Sequence, residues 1–176
     1  MKYYINFGVI AIFLTLTIAC GGGGGSDCEK FTRQNTLPFH INTRNDFFAR
    51  EAVNAWNTGM GIEVFAEDDN ALTIEYVEDI NLANLSESVE LAILEPSGAT
   101  TFSCTENGSQ VHSILVVEGA PSAIIYSTIA HELGHALGLD HTTFGIMQPS
   151  SPFDDIEGNI AVMRDYFFEI YPEYRP

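Results

Sequence analysis

Positive charge is scarce in this chain: seven Lys and Arg stand against 24 Asp and Glu, a formal net charge of −17 at pH 7. Binding to a phosphate backbone needs clustered cations, and no cluster is present, which excludes nucleic acid as a partner. The same field disfavours acidic peptides and favours neutral or basic ones, although most of the acidic side chains are read as serving solubility. Internal repeats are absent, and the one low-complexity stretch is Gly21 to Gly25. At 176 residues, 45% of them hydrophobic, the chain suffices for one domain with a real core and is too short for two. Cysteine and histidine are sparse as well. There are three Cys and five His, yet three of the five His fall between positions 131 and 141.

The one long apolar run opens the chain. Lys2 precedes Ile5 to Ile18, the run ends in Ala19 and Cys20, and Gly21 to Gly25 with Ser26 follow. It is short for a membrane-spanning helix. Its form resembles a bacterial lipoprotein signal, with Thr17 where leucine is usual. That resemblance implies removal of residues 1–19, lipidation of Cys20, and a Gly-rich tether over residues 20–36 that holds a domain of residues 37–176 off the membrane. The expected location is the bacterial cell envelope, with the protein exported and held by its lipid anchor; an uncleaved anchor or an ordinary secretory signal is the alternative. With Cys20 lipidated, Cys28 and Cys104 form an even pair in a compartment where disulfides persist. A bridge between them would close a loop of about 77 residues, contributing roughly 4–5 kcal/mol on the chain-entropy model. Two unrelated buried thiols are the other reading.

Residues 131 to 141 read His-Glu-Leu-Gly-His-Ala-Leu-Gly-Leu-Asp-His. On a helix turning about 100° per residue, His131 and His135 lie one turn apart on the same face and can reach one ion, with Glu132 beside them. Ile129, Leu133, Ala136 and Leu137 fall on the opposite arc and would press the helix into a core. Gly138 suits the left-handed residue at a helix end, which reverses the chain and brings His141 back as a third nitrogen ligand. Three protein ligands leave a fourth tetrahedral position open, the mark of a catalytic zinc site, so one Zn2+ is expected. Such an ion acidifies a water and polarises a carbonyl, and Glu132 would take the water's proton and pass it to a leaving amine.

The same string, followed by Gly145-Ile146-Met147-Gln148-Pro149, resembles the motif of the metzincin metallopeptidases, in which a methionine turn comes after the third histidine. Thr142 and the Met-x-Pro order are most similar to the matrixin family. The resemblance implies an α+β catalytic domain: a twisted mixed β-sheet packed with a long N-terminal helix, a zinc-binding helix, a Met-turn at Met147 and a C-terminal helix. Pro149 stands where some metzincins carry an extra tyrosine ligand, so none is expected. His112 lies near the position of a structural-zinc ligand in matrixins, but outside the motif only His40 remains as a partner. No structural zinc or calcium is therefore expected, and Asp68, Asp69, Asp154 and Asp155 are read as turn and cap residues. Cys28 lacks the Pro-Arg-Cys-Gly context of the matrixin propeptide latch, so latency of that kind is not expected. In matrixins the segment resembling Leu91 to Leu94 is the sheet edge beside the cleft, where a substrate adds a strand through main-chain hydrogen bonds. An ordinary solvent-facing edge is the alternative.

Periodicity supplies the remaining elements. Leu37 to Asn42 reads as a first strand, and Asn45 or Asp46 can cap a helix through about Asn57 that Gly59 and Gly61 end. Ile62 to Ala66 and Ala71 to Val77 alternate as half-buried strands, and Val89 to Leu94 and Val111 to Val117 are two further candidates. Pro121 and Ser122 open the zinc helix. Ser151-Pro152-Phe153-Asp154 has the form of a capping box that starts a last helix to about Tyr171.

The chain is thus expected to be a monomeric, membrane-tethered zinc endopeptidase acting on extended polypeptides. The alternative from another class is a lipoprotein that binds peptides or proteins without turnover. Glu132 discriminates, because a pure binder has no reason to carry a carboxylate at the base position. A zinc hydrolase of some other amide is a third reading.

Overall fold

The computed structural model describes residues 37–80, 91–94, 97–105, 108–149 and 154–176. The signal segment, Cys20, the tether, Cys28 and Ser151 to Phe153 lie outside the described residues.

Strand β1 (Phe39–Asn42) leads into helix α1 (Phe47–Met60). Of the two capping candidates, Asp46 takes the role: its Oδ1 accepts from the Ala49 amide at 3.0 Å, satisfying a backbone donor that the first helical turn leaves unpaired. The helix runs one turn's worth beyond Asn57 and ends at Gly61, whose φ of 71° is a left-handed conformation that side chains with a Cβ resist. Asn57 fixes the exit. Its Oδ1 accepts from the Val64 and Phe65 amides and its Nδ2 donates to the Phe65 carbonyl, so the turn into β2 (Phe65–Glu67) is held by one side chain.

β3 (Leu72–Val77), β4 (Leu91–Leu94), β5 (Gly98–Thr105) and β6 (Gly108–Val117) complete a six-stranded sheet in the order β2-β1-β3-β6-β5-β4. The β1–β2, β1–β3 and β3–β6 pairs are parallel, and β5 is antiparallel to both of its neighbours, which makes the sheet mixed. β5 is absent from the elements that alternation predicts. Ala99, Thr100, Thr101 and Phe102 are all buried, so a strand covered on both faces shows no polar and apolar alternation, and its alanine and threonines form no apolar run either. Register shifts between Thr101 and Phe102, where Thr101 faces Ser113 and Phe102 faces Val111, leaving His112 as the extra residue of a bulge.

Helix α2 (Ser122–Ala136) starts where Pro121 and Ser122 predict. Its apolar arc, Ile129, Leu133, Ala136 and Leu137, is in the core with Ile41, Trp56, Phe65, Ile114 and Phe167. Trp56 joins the two long helices: its Nε1 donates to the Ala130 carbonyl at 2.8 Å in the buried interior. The single C-terminal helix expected from residue 151 to 171 is instead two. Asp155 caps α3 (Ile156–Ala161) through the Gly158 amide, and α4 (Arg164–Ile170) follows before a 3-10 turn, Pro172–Tyr174. The break has a packing cause. Ile160 presses on Gly59 of α1, while the Met163 amide reaches back only three residues, to Ile160, and this tighter turn lets Phe167 and Tyr171 stack with their ring centroids 4.8 Å apart. The Tyr171 hydroxyl then donates to the Leu137 carbonyl, bracing the end of α2. Among the described residues no helix is long and apolar enough to cross a membrane. The architecture is α+β, with the helices packed on a mixed sheet.

Candidate metal centre

The buried stretch of α2 carries two ligand candidates one turn apart, His131 and His135. The helix closes as the glycine predicts: Gly138 has a φ of 78°, its amide donates to the His135 carbonyl, and the Leu139 amide donates to the Gly134 carbonyl at 3.0 Å. That reversal returns the chain, so that His141, which is exposed, joins the two buried imidazoles. The three Nε2 atoms form a nearly equilateral triangle of 3.0 Å between His131 and His135, 3.2 Å between His135 and His141, and 3.3 Å between His131 and His141. These are the three residues that could hold a metal ion among the described residues.

Backbone carbonyls decide which ring nitrogens face the centre. His131 Nδ1 lies 2.7 Å from the Ile146 carbonyl and His135 Nδ1 lies 2.8 Å from the Leu139 carbonyl. A carbonyl oxygen only accepts, so both Nδ1 atoms carry the proton and, in the neutral rings, both Nε2 atoms present lone pairs. Two lone pairs 3.0 Å apart repel unless a cation sits between them, and carbonyls behind metal-ligating imidazoles are the usual orienting device. Burial, with the neighbouring His131 and His141 rings adding to it, holds His135 well below its ordinary 6.5. The ring therefore stays neutral, as a ligand must be, into mild acid.

Met147 is fully buried beneath this cluster. Its sulfur lies so close to Gly134 that a Cβ added there would fall far inside contact distance, with the Trp56 ring also at 3.1 Å. The methionine loop is wired to both ends of the triad: Ile146 supplies the carbonyl behind His131, and the Met147 carbonyl accepts from the Thr142 amide, next to His141, at 3.0 Å. Gly134→Ala should therefore be destabilising. Helix propensity would contribute about 1 kcal/mol in its favour, but overpacking against Met147 and Trp56 costs roughly 1–3 kcal/mol and has no solvent-side escape. A lower thermal midpoint with reduced metal uptake is the expected result, read by calorimetry and metal analysis.

Glu132 is also fully buried. Its carboxylate turns toward β5: Oε2 accepts from the Thr100 hydroxyl at 2.7 Å, and a Cβ added at Gly98 would stand 2.7 Å from Oε1. Thr128 Oγ1 donates to Ser97 Oγ at 2.9 Å, fastening the start of β5 to the same helix. Thr100 and Gly98 are not among the site residues the sequence suggests, and the signal that would find them is the strand itself, which alternation misses. β4, holding Leu91 to Leu94, is one of the two edges of the sheet among the described residues, but the strand whose side chains meet Glu132 is the next one inward. Cys104 lies on β5, and its expected disulfide with Cys28 lies outside the described residues. Asp68 closes an Asx turn on the Asn70 amide, Asp69 pairs with Arg44, and Asp155 caps α3.

No family model, curated protein or solved structure matches this chain.

Proposed function

We propose that the domain is a zinc-dependent endopeptidase of the metzincin kind, most similar to the matrixins, carried on a lipid-anchored tether. The observation that carries this reading is the imidazole triangle. Zinc–nitrogen bonds of about 2.0–2.1 Å in a tetrahedron place ligand nitrogens about 3.3 Å apart, and the Nε2 separations here are 3.0–3.3 Å. Three nitrogen donors with a carboxylate on the adjacent helical residue suit a hydrolytic zinc rather than a closed structural one. Buried Met147, whose carbonyl accepts from the Thr142 amide and whose neighbour Ile146 turns its carbonyl to His131 Nδ1, supports the reading of this loop as a Met-turn.

When bound, zinc supplies Lewis acidity, lowering the pKa of water toward about 7 and polarising a carbonyl. The protein's own groups do the rest. His131, His135 and His141 would hold the ion, the first two being oriented by the Ile146 and Leu139 carbonyls. Glu132, the residue next to His131 on the helix, takes the proton of the attacking water and delivers it to the departing amine. An extended polypeptide would lie along β4, the last strand of the sheet among the described residues, and add a strand through main-chain hydrogen bonds. The acidic surface favours neutral or basic sequences over acidic ones.

Complete burial of Glu132 favours one competing reading, a site that holds metal and peptide without turnover. A proteome digest by the zinc-loaded mature protein, read by mass spectrometry, separates the two. Defined new peptide termini, suppressed by a chelator, support the peptidase, and an unchanged peptide pool sinks it. The anchor has its own test: Cys20→Ser should abolish metabolic acyl labelling and detergent-phase partitioning, since lipidation needs the thiol. Unaltered labelling would remove the lipoprotein from the proposal.

A further inference from the structure

We propose that Thr100 is a positioning residue for Glu132: its hydroxyl, held by the β5 backbone, selects the carboxylate rotamer from which Glu132 exchanges protons. This rests on the peptidase reading and adds a residue to it. The hydroxyl has one proton and two acceptors in reach, Glu132 Oε2 at 2.7 Å and the Glu132 carbonyl at 3.1 Å. The bond to the carboxylate, the shorter of the two, wins.

The support is rigid where it matters. Thr100 is fully buried, and its β-branched side chain has few χ1 choices. Its strand is paired on both sides, with Thr100 opposite Ile114 of β6 and Ile93 of β4, so the backbone beneath the hydroxyl is fixed by two ladders. Gly98, two residues earlier on the same face, provides the clearance: a Cβ there would press 2.7 Å from Oε1 and 3.0 Å from Cγ of Glu132. One position on β5 thus makes room for the carboxylate and the next on that face grips it. A glutamate has three side-chain torsions, and a carboxylate that must accept and return a proton within hydrogen-bond reach gains from having them settled before substrate arrives.

The test uses the zinc-loaded mature chain with Thr100→Val, which removes the hydroxyl at nearly constant volume, and Thr100→Ser, which keeps it. Each is made alone and with Glu132→Ala. Thr100→Val should lower kcat on a cleaved peptide by about 10- to 100-fold with KM within about twofold, and Thr100→Ser should recover most of the loss. In the Glu132→Ala background, Thr100→Val should change residual cleavage by less than about twofold, since the group it positions is gone. Urea unfolding of the metal-free proteins gives a readout independent of activity. The midpoint shift caused by Thr100→Val should be much larger with Glu132 present than in the Glu132→Ala background. Equal effects of Thr100→Val in the two backgrounds, on rate or on unfolding, would overturn the assignment while leaving the peptidase standing. A wild type that cleaves nothing yet keeps a non-additive unfolding cycle would overturn the peptidase reading, and the pair would then be structural only.

Discussion

Glu132→Gln is expected to lower peptide cleavage by a factor on the order of 10² or more while one zinc stays bound, the scale seen when a positioned general base is lost. Glutamine fills the same volume and can still accept from Thr100 through its amide oxygen, so the fold around β5 should survive the change. The three imidazoles and the carbonyls behind His131 and His135 are untouched. Metal analysis and steady-state kinetics on the same preparation therefore separate loss of chemistry from loss of the ion. A glutamine variant that cuts as fast as the wild type would defeat Glu132 as the base.

His141→Ala should act on the other term. It removes one corner of the Nε2 triangle, leaving two nitrogens 3.0 Å apart on one helical face. Changes behind the ligands usually cost 10–100-fold in metal affinity, and loss of a ligand itself should exceed that range. The variant should release its ion to a chelator under conditions where the wild type retains it, and cleavage should fall with zinc content. Folding should be preserved, because His141 is exposed and contributes nothing to the core formed by Leu133, Leu137 and Leu139. Equal zinc content and activity in the two proteins would mean that the third ligand is another group.

What the sequence disclosed, and what it withheld, divides along the distance between interacting residues. His131, His135 and Gly138 are read from helical geometry, a local property, and their placement relative to His141 follows from the same few residues. Asp46 and Gly61 bound α1 for equally local reasons. The Thr100 contact with Glu132 spans 32 positions and depends on a strand whose buried face of alanine and threonine carries no periodic signal. The division of the last helix is similar. Neither Val162 nor Met163, at the break itself, stops a helix by propensity, and the turn at Met163 follows from what α1 and α2 present to it, Gly59 on one side and the Leu137 carbonyl on the other. The extra residue at His112 is a property of strand pairing, legible only once β5 is known to lie beside β6.

Trp56 is the only tryptophan in the chain, fully buried, with its indole nitrogen bonded to the carbonyl of the residue just before His131 and its ring against Gly134. Indole emission responds to hydrogen bonding and to water near the ring, and here both are set by the turn of α2 that carries the first two imidazoles. The protein thus contains its own optical reporter at one address. Light absorbed by tryptophan alone registers ion loading or loosening of that helix without an attached dye.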